Sequence, residues 1–163
     1  MSVFKKIPST LRVGVAFVLM FVTLVAFGQS EASALKMVNA LRLGENLSGM
    51  TYTFAKATTT YKGVEAKLGQ QKADELLRAE IAVAVPKHQE QWNRNLAQAW
   101  APLMTPAELD SVASDRQKSP FASKFASLQE RAGASMKVNS EPLLKTVLTE
   151  VLRGVFEKSM LKK

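Results

Sequence analysis

At 163 residues the chain fits one domain of the usual ~100–200 residues and is long enough to bury a core without staples. Its 47% apolar and 22% charged residues are those of an ordinary globular protein and exclude disorder of its body. The absence of cysteine excludes disulfides, thiolate metal sites, a cysteine nucleophile and a lipid-modified N-terminal cysteine, while a net charge of +8 favours anionic surfaces weakly.

The chain opens with Lys5, Lys6 and Arg12, followed by an uncharged apolar run from Val13 to Gly28. That run is shorter than the ~20 residues a helix needs to span a hydrocarbon core. Ala32-Ser33-Ala34 then offers small residues at both positions a signal peptidase reads, and Ala26-Phe27-Gly28 offers a second cut. The pattern predicts a signal peptide over residues 1–34 and a mature domain over 35–163, periplasmic or secreted. The alternative is an uncleaved anchor in the inner membrane over residues 13–28, made tolerable by local thinning or snorkelling. Either arrangement keeps the positive end inside and puts the domain outside the cytoplasm.

Beyond the signal, proline and glycine punctuate a series of helices. Leu47, Met50, Phe54, Ala57, Tyr61, Val64 and Leu68 recur in steps of three and four, predicting one side of a helix despite the β-branched Thr51, Thr53 and Thr58–Thr60. A second helix is expected from near Gln70 through Trp100, with Leu77, Ile81, Val85, Trp92, Leu96, Ala99 and Leu103 close to one face. Pro86 should kink or divide it, because proline lacks the N–H and crowds the preceding turn. Thr105-Pro106 with Glu108 predicts a capping box and a new helix, and Ser119-Pro120 repeats the cap-then-proline device. That helix should carry Phe121, Phe125, Leu128, Ala132 and Met136 and end near Lys137. Pro142 should open a last helix with Leu144, Val147, Leu148, Val151, Val155 and Phe156 on its apolar face. With no hairpin signal and no repeat, the expectation is an all-α fold: a single antiparallel helical bundle of about five or six helices after an N-terminal signal segment.

Catalytic and metal chemistry finds little support in the residues. His88 is the one histidine, so neither a Ser-His-Asp triad nor a two-histidine metal site can form within the chain, and its place one turn before Trp92 reads as packing. Asp74 and Glu75 are adjacent and point apart on a helix, whereas Glu108 and Asp115 are seven apart and can share a face. Arg116 and Lys118 beside them suit a solvated surface better than a hydrolytic pair. The glycines stand singly, with no phosphate-cradling loop, so no cofactor is expected. Basic residues are scattered rather than striped with aromatics, which speaks against nucleic acid. Trp92 and Trp100 lie about two turns apart on nearly the same side. They read first as core anchors, and they are the candidate partner-binding residues should they line a groove.

Thr105-Pro106-Ala107-Glu108-Leu109, followed by Ser119-Pro120-Phe121-Ala122-Ser123-Lys124 and preceded by the helix with Trp92 and Trp100, resembles the exported bacterial family called domain of unknown function 2059. The resemblance covers Gln91 to Lys137. Arg116, Gln117 and Lys118 stand where the family's pattern has aromatics, and Ala122 stands at its glycine. It implies an exported, all-helical protein and carries no activity with it. By elimination, the function expected is non-enzymatic binding of another envelope component, either a protein or an anionic membrane surface. The alternatives are an envelope hydrolase using Glu108 or Asp115 with Lys124, and a peripheral membrane protein with a basic amphipathic face.

Overall fold

A computed structural model describes residues 28–161. The positive start, all but the last residue of the apolar run, and residues 162–163 lie outside the described residues. Residues 1–27 of the expected signal, and all but Gly28 of the alternative anchor, fall there, whereas residues 28–34 are described and are helical.

The described chain forms six α-helices: α1 (residues 28–40), α2 (Asn46–Lys56), α3 (Thr59–Leu68), α4 (Gln70–Trp100), α5 (Pro106–Asp115) and α6 (Ala122–Leu161). Short 3₁₀ turns at Leu43–Glu45 and Arg116–Lys118 precede α2 and follow α5. No strand occurs among the described residues. The all-α bundle expected from the hydrophobic period is therefore what forms.

The two long helices run antiparallel. Glu80 of α4 pairs with Lys158 of α6, His88 with Glu150, and Asn95 with Ser140, so partners on α6 descend as α4 ascends. Between them, Leu77, Ile81 and Val85 share one core with Val147, Val151 and Val155. The helices α2 and α3 add Leu47, Tyr61 and Val64 to that core. A second core at the far end joins α1 (Met37, Val38) and α5 (Leu109, Val112) to Trp100 of α4.

Three boundaries differ from the sequence reading. The Leu47–Leu68 seam is two helices, because Thr58 adopts an extended backbone and its side chain caps a new start by accepting from the Tyr61 N–H at 3.2 Å. The break resets the phase: Leu47, Thr51 and Ala55 are buried on α2, whereas Phe54 is 46% exposed. Pro86 does not divide α4. It lies on the solvent side, where the carbonyl it leaves unpaired, that of Ala82, can reach water. Nor does Pro142 open a helix, since α6 runs unbroken across it for 40 residues. Met136, Ser140, Val147, Val151 and Val155 keep one buried stripe through the proline. The carbonyl that Pro142 releases belongs to Val138, itself 74% exposed. Tertiary packing of the inner face outweighs one lost hydrogen bond on the outer face.

The capping box at Thr105 forms as expected. Glu108 N–H donates to Thr105 Oγ1 at 3.4 Å and Thr105 N–H donates to Glu108 Oε2 at 2.9 Å. Gly69 alone links α3 to α4 with φ of 79°, a conformation that residues with a Cβ rarely adopt, and this sharp corner lays α3 back across the bundle.

Two glycines of α6 should respond oppositely to the same substitution. A Cβ on Gly154 would stand 2.1 Å from Glu80 Oε2, a carboxylate already held by Lys158, whereas one on Gly133 meets nothing within 4 Å. Gly133→Ala should stabilise the fold by about 0.5–1 kcal/mol through helix propensity. Gly154→Ala should instead lower stability, because Glu80 must move. Urea denaturation of both variants measures the difference in sign.

Candidate functional site

Apolar surface collects where α3 passes the C-terminal half of α6. The core stripe of α6 uses Val151, Val155 and Ser159, so Phe156 and Met160, one position further, fall on the flank. They are 46% and 55% exposed. Between this flank and α3 lies an open trough of about 720 Å³, with Gly63 and Val64 on the α3 side. Lys67 and Arg153 also line it. Lys67 Nζ donates to the Ser159 carbonyl at 3.0 Å, neutralising the negative end of α6.

A second depression of about 710 Å³ lies between the Arg116–Lys118 turn and the start of α6, lined by Leu41, Val112, Asp115 and Phe125 among others. Arg116 holds φ at 54° and ψ at −122°, strained for a side chain with a Cβ, and its guanidinium donates to the Ala40 carbonyl at 3.4 Å.

The two tryptophans occupy neither depression. Both are 3% exposed. Trp92 donates its indole N–H to Asn46 Oδ1 at 3.0 Å, fastening α4 to the first turn of α2. Trp100 stacks on Phe125 with centroids 4.3 Å apart, fastening α4 to the start of α6. They lie in different cores although only two turns separate them.

The carboxylates singled out from the sequence are dispersed by their partners. Glu108 accepts from Lys124 at 2.8 and 2.7 Å as well as from its cap, and these contacts, Lys124 first, hold its acid below the usual range. Asp115 accepts from Ser111 Oγ at 3.2 Å, so Lys124 serves Glu108 and the two acids do not share a cation. Glu75 is exposed and bonded to Gln71 at 3.1 Å, while its neighbour Asp74 faces α2 and α3. His88 Nε2 lies 2.9 Å from Glu150 Oε2, with Lys87 on the other oxygen. Among the described residues no group of three or more His, Asp and Glu side chains gathers in a metal-binding arrangement.

Two polar clusters escaped the sequence reading. Tyr61 donates to Asp74, and Lys56 bonds the same carboxylate at 3.1 Å, joining α2, α3 and α4. Burial and the bond to Asp74 push the Tyr61 hydroxyl up to about 12. The Asp74 contact holds the Lys56 ammonium up, and the Tyr61 and Lys56 donors hold Asp74 down. The second cluster is Glu80 with Lys158. Its signal was available, since Glu80 sits directly before Ile81 on the inner side of α4. The shifts at Tyr61, Lys56 and Asp74 each move a proton affinity further from neutral pH. A general acid or base needs the opposite, a proton affinity near the working pH, so these pairs act as anchors between helices.

No protein family matches the chain, and neither the curated proteins nor the solved structures contain a match to it. No described helix is long and apolar enough to cross a membrane.

Glu150 gives the ion pairs a pH signature. Lys87 first and His88 second depress its acid from an ordinary 4.5 to about 2. A group depressed on folding contributes its stability in full above the unfolded value and loses it as the pH falls toward the folded one. The wild type should therefore lose stability between about pH 4.5 and 2 through this pair. Glu150→Gln, less stable at pH 7, should show a shallower decline over that window. Denaturation midpoints at pH 7, 4 and 3 check it, and parallel curves would refuse Glu150 that part.

Proposed function

We propose that the chain is an exported, non-enzymatic helical protein that acts by binding another component of the cell envelope. The observation that carries this reading is the trough beside α3, where the large apolar side chains of Phe156 and Met160 stay about half exposed to water. A contiguous exposed apolar surface rimmed by charge is characteristic of recognition. The locked ion pairs add support, since they leave the surface charged but chemically quiet. The hydrolase reading needs a buried carboxylate beside Lys124, whereas Glu108 already serves a cap and Lys124, and Asp115, on the rim of the second depression, is exposed and bonded to Ser111. Trp92 and Trp100 take no part in this surface: they hold α4 to α2 and to the start of α6. The resemblance of Gln91–Lys137 to domain of unknown function 2059 fits an exported helical protein and adds no activity.

In-cell crosslinking of the native protein, followed by capture and mass spectrometry, tests the reading. One envelope component should be enriched, with crosslinks beside the trough, and Met160→Glu should remove it. Equal background in both strains would contradict the reading.

Export also requires a choice between the two cuts, and the folded helix favours the one after Gly28. Ala34 is fully buried, Ser33 Oγ donates to Asp110 at 3.2 Å, and Gln98 donates to Glu31 at 3.1 Å. A mature chain beginning at Leu35 would lose all three. Intact-mass measurement of the exported protein should give a chain starting at Gln29, and a start at Leu35 would show that these contacts are dispensable.

A further inference from the structure

We infer that the α3–α6 trough takes an acidic amphipathic helix from a partner protein. The inference rests on the binding reading above and specifies the chemistry of the partner. Shape is the first argument. Thr149, Leu152, Phe156 and Met160 line one wall at steps of three and four, with Arg153 beside them, the spacing at which a second helix lays its own stripe of side chains. From Thr149 to Met160 the wall is about 16 Å long at 1.5 Å per residue, enough for three turns of a docked helix. The trough is concave, so a flat bilayer surface would reach the half-exposed Met160 but not the buried Val64 on the α3 side.

Charge is the second argument. Two cations line the trough, Lys67 and Arg153, and no carboxylate does. Arg153 is tied only loosely, at 4.0 Å from the exposed Glu157. Lys67 gives the protein one carbonyl bond and one contact to the Met160 sulfur at 3.5 Å, which leaves its ammonium open to an incoming carboxylate. An apolar stripe flanked by Asp or Glu complements this arrangement, and a basic helix is repelled by it.

Gly63 supplies a clean test, because a Cβ there meets nothing within 4 Å. Gly63→Leu should fill the trough while keeping the fold, and helix propensity favours the exchange. The experiment measures fluorescence anisotropy of labelled peptides of about 18 residues, five turns of helix, added to the exported chain. One peptide carries a leucine stripe flanked by glutamates, a second the same stripe flanked by lysines, and a third the glutamate composition scrambled. The glutamate helix should bind at least about tenfold tighter than the other two, weakening with salt. Gly63→Leu should weaken it by about tenfold or more with unchanged circular dichroism. Arg153→Glu should weaken the glutamate helix and strengthen the lysine helix. Equal binding of all three peptides, or binding indifferent to Gly63→Leu, overturns the inference. So does sedimentation with vesicles of phosphatidylglycerol that the glutamate helix fails to displace, or a dimer dissolved by Gly63→Leu. If the peptides fail while an envelope protein still crosslinks elsewhere on the surface, this inference falls and the binding reading stands.

Discussion

The pairing of α4 with α6 is the contact on which the rest of the structure depends. Neither α2, α3 nor α5 is longer than 11 residues, and helices that short are marginal in water unless a packed face supports them. The long pair supplies that support. Val147, Val151 and Val155 are essentially fully buried with Leu77 and Ile81, and each such side chain contributes roughly 1.5–3 kcal/mol on leaving water. With this face closed, α2 and α3 have one surface to lie on and α1 and α5 have another near Trp100. The trough follows from the same geometry, because α3 covers the end of α6 without reaching its outer flank.

Polar pins give that apolar contact its register. Asn95 is buried and donates to Ser140 Oγ at 3.1 Å while accepting from Gln91 at 2.8 Å, so sliding α6 by a turn would strand an amide in the core. Glu80 imposes the same condition at the other end, where the missing side chain of Gly154 gives its carboxylate room beside Lys158. Buried polar groups of this kind add little net stability, and their value lies in excluding alternatives. The anchoring also separates two regions of the surface. Between α4 and α6, Glu80 pairs with Lys158, and Lys87 and His88 with Glu150. At α3 and the end of α6, apolar groups and loosely held cations face solvent.

Much of the helical content was legible in the residues because it depends on local chemistry. The Thr105 capping box and the inner face of α4 follow from capping and period alone, and the start of α4 at Gln70 from the glycine before it. The boundaries that differ all concern a contest between local and tertiary forces. Pro86 and Pro142 look like breaks when only the backbone is considered, yet each sits on the wet side of a helix whose dry side is continuous. Thr58 looks like one more β-branched residue in a helix until its hydroxyl is seen to cap the next one. The trough was not legible, since Phe156 and Val155 are neighbours in sequence and only the packing decides which of them faces inward. The tryptophans attracted attention by their size, but size is also what the two cores needed.

Hydrogen exchange followed by mass spectrometry, at rising urea below the unfolding transition, tests the central pairing most directly. If α4 and α6 form one unit, amides from Leu76 to Trp100 and from Ala132 to Ser159 should be the slowest and should lose protection together, with equal protection on both sides of Pro142. Early exchange of residues 122–141 while 143–161 stays protected would mean that α6 is two helices in solution.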